Sequence, residues 1–98
     1  MHNRDRNNRE FDLTTRRAVW AKGQVVSGYD PAAVRKDTCG KLIKWEKYGD
    51  TNSEQGWETD HIKPKAKEGG DELSNLQPLQ WRNNRTKGDN YPHWDCAA

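Results

Sequence analysis

Residues 57–88 read as strand, long loop, strand and helix in that order, and this order constrains the fold more than anything else in the chain. "WETDHI" is a short strand, and the "KPKAKEGGDELS" that follows is broken by Pro64, Gly69 and Gly70. "NLQPL" is a second short strand, which Pro78 confines to an edge or an end because proline has no N–H for a ladder. "QWRNNRTKG" is helical and closed by Gly88. Nearly every side chain with chemical potential falls inside this span.

The remainder is sparse in apolar material. A chain of 98 residues is one domain, and with 31% hydrophobic against 33% charged residues its core is small. Five tryptophans must carry much of the burial, and their presence argues against disorder. "MHNRDRNNR", residues 1–9, is polar, lacks periodicity and is expected to be flexible. "FDLTTRRAVWAKG" predicts one helix with Asp12 or Thr14 as N-cap and Gly23 as stop. "SGYDPAAVRKDTCG" reads mostly as connector, and "KLIKWEKYGD" as a strand ending at Gly49. "DNYPHWDCAA" is an aromatic tail able to fold back over the core, in which His93 reads as a tail residue rather than a ligand. The expected class is therefore α+β: one domain over residues 10–98, with an N-terminal helix and an extra short strand or hairpin beside the 57–88 unit.

The net charge of +2 names no partner. Residues 1–22 hold six basic against three acidic side chains, a net +3 that suits a polyanion and equally suits a solvated tail. Cys39 and Cys96 lack CxxC spacing; they read as free thiols in a reducing cytoplasm, with a disulfide left open. No run of about 18 apolar residues exists and the N-terminus shows no hydrophobic signal segment, so a cytoplasmic protein with no membrane partner is expected.

Asp60, His61, Asn75 and Asn84 are the chemical candidates. Singly each is ordinary: an Asp-His dipeptide is usually surface polarity, Asn75 can close a turn through an Asx bond, and Asn84 can be a helix-surface amide. Together, "DHIKP", "GGDELSNLQPL" and "NNRTKGD", with "CGKLI" and "YG" upstream, resemble the HNH endonuclease family over about residues 37–95. The resemblance implies a ββα-metal unit at about residues 57–88, with His61 as general base, Asp60 and Asn84 as metal ligands, and Asn75 stiffening the loop and orienting His61. The chemistry is coherent without the family. A neutral imidazole with a pKa near about 6.5 can activate water, and hard oxygen donors suit Mg²⁺ or Mn²⁺, with Ni²⁺ or Zn²⁺ possible.

Two departures matter. Asn84 stands where many members have a final histidine. Of the two CxxC pairs of a structural zinc knuckle, "KDTC" keeps only Cys39 and "QWRN" keeps none. Structural zinc is not expected, and packing by Trp45, Trp57, Trp81 and Trp94 would hold hairpin to helix.

One geometric difficulty accompanies the pair. Adjacent strand residues point to opposite faces, so Asp60 and His61 share one substrate only through strong twist, a bulge or the strand edge. On the helix, Asn84 shares a face with Lys87, placing Lys87, with Arg85, as a phosphate contact; Arg82 lies on the far, solvated side. Lys63, Lys65 and Lys67 alternate after His61, either as a solvated edge or as a rail for a nucleic-acid backbone, and Lys63 and Lys65 are taken as binding candidates. The expected activity is metal-dependent hydrolysis of DNA, with a double-stranded substrate expected and RNA left open, and with little sequence specificity unless a homodimer or accessory protein supplies it. The alternatives are a nucleic-acid-binding module of the same fold without turnover, and a domain in which the motif only closes a core.

Overall fold

A computed structural model describes residues 3–98. Helix α1 (Leu13–Trp20) begins where Asp12 turns its carboxylate back to accept from the Thr15 N–H at 2.8 Å, so Asp12 rather than Thr14 is the cap. The helix stops three residues short of Gly23, and the Trp20 indole N–H donates to the Pro31 carbonyl at 2.9 Å. Three short strands, β1 (Gln24–Val25), β2 (Val34–Lys36) and β3 (Leu42–Lys44), form an antiparallel sheet in the order β1-β2-β3. β2 lies inside the expected connector, and the expected strand at 41–50 shortens to β3 followed by a 3-10 turn at Trp45–Lys47. Pairing with β1 and β3 makes "VRK" a strand; its own three residues are too few to show alternation.

The second sheet is the hairpin of β4 (Trp57–His61) and β5 (Leu76–Gln80), registered from Trp57↔Gln80 to His61↔Leu76. Pro78 stands opposite Thr59, whose own N–H points away from β5 to the Asn3 side-chain oxygen at 2.8 Å. The pair therefore exchanges no ladder bonds, and the missing N–H of proline costs the sheet nothing. Gln80 ends the strand and caps helix α2 (Trp81–Lys87), its side-chain oxygen accepting from the Arg82 and Asn83 N–H groups at 2.9 and 3.3 Å.

Strand alternation then sorts β4 onto two layers. Trp57, Thr59 and His61 face the α1 side: the Trp57 ring lies 5.1 Å from Trp20 and 4.6 Å from Tyr48, Thr59 Oγ1 is 3.1 Å from the Tyr48 hydroxyl, and the His61 ring is 5.8 Å from Phe11. Glu58 and Asp60 face α2, meeting Asn84, Arg85 and Lys87. Hence all five residues of β4 are buried. The aromatic cluster differs from expectation: Trp45 and Trp57 belong to it, joined by Trp20, whereas Trp81 donates to the Ser53 carbonyl at 2.9 Å and stacks under Arg82. Trp94 is half-buried and outside the core cluster.

Cys39 and Cys96 are bonded to each other, which corrects the expectation of free thiols. The bond sits at a polar hub built from the two segments, "KDTC" and "QWRN", that the resemblance aligns with a zinc knuckle. Asp37 Oδ1 accepts from the Cys39 and Lys41 N–H groups at 3.0 and 2.9 Å; Oδ2 accepts from the Gln80 N–H and the Asn83 amide, both at 2.9 Å. Asn83 in turn accepts from the Ala97 N–H at 2.8 Å, so the tail is tied down beside the disulfide. At the other terminus, Met1 and His2 lie outside the described residues. Residues 3–9, read from sequence as a flexible leader, carry specific bonds: Asn3 accepts from Thr59 N–H and the Tyr48 hydroxyl, and Arg6 binds Gly69 and Asp71.

The disulfide closes a loop of 57 residues across a domain with a small core. A Cys96→Ser variant is expected to lose about 2–4 kcal/mol of stability, read from the midpoint of denaturant unfolding without reductant. An unchanged midpoint would mean that the Asp37 hydrogen bonds hold this corner unaided.

Candidate active site

A cleft of about 360 Å³ opens where β4 ends, bordered by Thr59, Asp60 and His61 on the strand, Pro64, Lys65 and Ala66 on the loop, and Asn84, Arg85, Gly88 and Asp89 on and after α2. Asp60 and His61 do leave opposite faces of the strand, one toward α2 and the other toward Phe11. Both still border the cleft because the strand stops at His61. Four of the expected residues, Asp60, His61, Asn84 and Arg85, thus meet, with Lys65 on the rim.

His61 is buried, and its Nε2 lies 2.7 Å from Asp71 Oδ1. Burial raises the Asp71 carboxyl, but the His61 hydrogen bond and the Arg6 backbone N–H outweigh it and hold the group below the usual carboxylate value. Asp71 was not singled out in the sequence; it closes the "GGD" of the loop, ten positions from its partner, and only the folded loop brings them together.

Asn75 acts on the loop rather than on the ring. Its side-chain oxygen accepts from the Lys63 N–H at 2.8 Å, and its amide donates to the Lys63 and Gly70 carbonyls at 3.1 and 2.9 Å. These bonds pin both ends of the loop directly after His61, as stiffening requires, while the ring's own partner is Asp71. Gly69 is demanded by the same clamp: a Cβ there would collide with the Lys63 carbonyl oxygen.

Asp60 is enclosed by Gln77, whose amide donates to Oδ2 at 2.9 Å, and by the Lys87 ammonium, 3.3 Å from Oδ1. Burial raises its carboxyl above the ordinary value; the Gln77 bond and the Lys87 charge pull the other way and do not cancel it. Asn84 donates from Nδ2 to Glu58 Oε1 at 2.9 Å, so its carbonyl oxygen is the atom it can offer the cleft. Glu58 also takes a bidentate pair from Arg85 at 2.6 and 2.9 Å. Glu58 was likewise missed by sequence reasoning; it shares a strand face with Asp60, which was the available signal. Among the described residues no group of three His, Cys, Asp or Glu gathers as a metal cage. Two oxygen donors beside an open cleft, one of them a carboxylate in a setting that disfavours its bare charge, fit a hard cation that keeps several waters. Asp60 and Asn84 are the residues that would hold it.

The basic candidates divide. Lys63 is exposed beyond the cleft lining, and Lys65 lines it with its ammonium 3.3 Å from the Asp5 carbonyl. Arg85 lines the cleft while committed to Glu58. Lys87 is corrected: it is 0% exposed, and its ammonium donates to the His61 carbonyl at 2.9 Å beside Asp60, so it cannot present itself to a phosphate. The helix face that carries Lys87 is laid onto β4, and at that position the ammonium is enclosed rather than offered. A Lys87→Met variant is expected to lose about 3–5 kcal/mol of stability by leaving Asp60 buried without its counter-charge, measured by denaturant unfolding. Unchanged stability with weakened DNA binding would restore it as a phosphate contact.

A family model described as HNH endonuclease matches residues 37–90. No curated protein matches the chain. No solved structure matches it either. Members of that family typically use a divalent metal and act on nucleic acid. The matched span covers more than half of the 98 residues and runs from the Asp37 hub through the hairpin and α2, so this chain belongs to the HNH endonuclease family and has nuclease-type activity as its implied function.

Proposed function

We propose that this protein is a divalent-metal-dependent endonuclease that hydrolyses phosphodiester bonds of double-stranded DNA with little sequence preference. The observation that carries the reading is the meeting of His61, Asp60 and Asn84 at one cleft. In the mechanism, His61 takes the proton of the attacking water at Nδ1, the ring nitrogen not engaged with Asp71. Phe11 and the clamped loop keep the ring from turning away. Asp60 and Asn84 would hold a divalent cation, Mg²⁺ or Mn²⁺, whose chemistry there would be charge stabilisation at the phosphate oxygens. Arg85, with its guanidinium anchored on Glu58, and Lys65 and Lys63 on the loop contact the phosphate backbone. Such contacts position the duplex without reading bases, and base selectivity would come from a second copy or an accessory protein.

A second reading, a binding module of the same fold without turnover, is favoured by one observation: the Lys87 ammonium already stands 3.3 Å from the carboxylate that would receive the metal. The two separate in one assay. Supercoiled plasmid is expected to be nicked in Mg²⁺ or Mn²⁺ and spared in EDTA, and His61→Ala, shown to be folded, is expected to lose about 10²–10⁴-fold in rate. Binding without cleavage in any metal would select the module, and faster cleavage of RNA than of DNA would change the substrate.

A further inference from the structure

We infer that Asp71, locked in place by the N-terminal arm, is the positioning residue of His61: it accepts the Nε2 proton and so leaves Nδ1 as the basic nitrogen. The inference rests on His61 being the base, and it adds a residue and a chain segment to the site.

A neutral imidazole carries one proton on one of two nitrogens, and the hydrogen bond made by one nitrogen decides the state of the other. An ionised carboxylate only accepts. With Asp71 Oδ1 at 2.7 Å, the proton of the neutral ring belongs on Nε2, and the lone pair on Nδ1. Burial on the Phe11 side denies the ring a competing water shell.

Asp71 is about one-third exposed, so by itself it would be free to swing between rotamers. The N-terminal arm removes that freedom. The Arg6 backbone N–H donates to both carboxylate oxygens at 3.2 and 3.1 Å, and the Arg6 guanidinium donates to the Gly69 carbonyl at 2.7 Å, two residues before Asp71. Asp5 contributes a third tie, its carbonyl accepting from the Lys65 ammonium at 3.3 Å. Asp5 is itself folded into a compact turn, its side chain accepting from the Asn7 and Arg9 N–H groups, both at 2.8 Å. The arm is thus a brace across the 65–71 loop. The Arg6 charge is thereby spent on the loop, one of the six cations of residues 1–22 given a structural reason that needs no substrate.

The test reads the ring directly, in the full-length, metal-free protein with ¹⁵N-labelled histidine, by long-range ¹H–¹⁵N correlation at about pH 8, where an imidazole is mostly neutral. The parent is expected to show His61 as the Nε2–H tautomer. Asp71→Ala is expected to shift the two ring nitrogens toward averaged positions and to lower metal-dependent cleavage on the order of 10²-fold or more, as loss of an orienting carboxylate does in acid-base triads. Arg6→Ala, which keeps the backbone N–H and loses the Gly69 tie, is expected to move the ring signals in the same direction by less. An Nδ1–H tautomer in the parent, or ring signals unchanged in folded Asp71→Ala, would overturn the inference; the parent measurement decides even where the variant fails to fold. Because the spectrum needs no substrate, a parent that never cleaves DNA while showing the Nε2–H tautomer would sink the nuclease reading alone.

Discussion

Everything at this site follows from β4 being buried on both faces. A strand between a helix and solvent can keep its polar residues wet, but here α1 and the aromatic cluster cover one face while α2 covers the other. Each polar side chain on the strand must then find an internal partner or lose its hydration uncompensated. Glu58 finds Asn84 and Arg85, Thr59 finds Tyr48, Asp60 finds Gln77 and Lys87, and His61 finds Asp71. Those partners are what fix the directions of the groups at the cleft, so the functional geometry is a consequence of satisfying a doubly buried strand.

What was legible in the sequence was local. Gly and Pro punctuation set the limits of β4, β5 and α2 within a residue or so, and the residues meeting at the cleft lie within one strand and one helix, where spacing translates into faces. What was hidden depends on separation or on depth. The Cys39–Cys96 bond spans 57 residues, and spacing carries no trace of it. Lys87 reads as solvent-seeking by type, and only the docking of α2 encloses it. Asp71 and Arg6 are 65 positions apart, and the polar arm holding Arg6 shows no periodicity because it is fixed by hydrogen bonds to a loop, not by an apolar face.

The Asp37 hub shows how a corner can be held by different chemistry. A zinc knuckle joins two segments through four thiolates on one ion. Here one carboxylate joins the corresponding segments through four N–H donors, and buried acceptors with every lone-pair direction used are among the better-compensated charges a small core can carry. The covalent bond from Cys39 adds the C-terminal tail to the same corner, where the Ala97 N–H also meets Asn83.

Charge at the cleft decides between readings of its lysines and its metal. Around and directly behind the opening stand four carboxylates, Glu58, Asp60, Asp71 and Asp89, against four cations, Lys65, Arg85, Lys87 and the Arg6 that braces Asp71. That set is no better than neutral and exerts no net pull on a phosphodiester. Lys87 cannot tip that balance, since its charge is already counted beside Asp60. The remaining sources are the loop lysines, which act at the rim, and a divalent cation on Asp60 and Asn84, which would act at the centre and turn the local balance positive where the phosphate must sit. On this reading the cation does more than polarise the phosphate: without it the cleft lacks the field to bind one, so substrate affinity as well as rate should depend on metal.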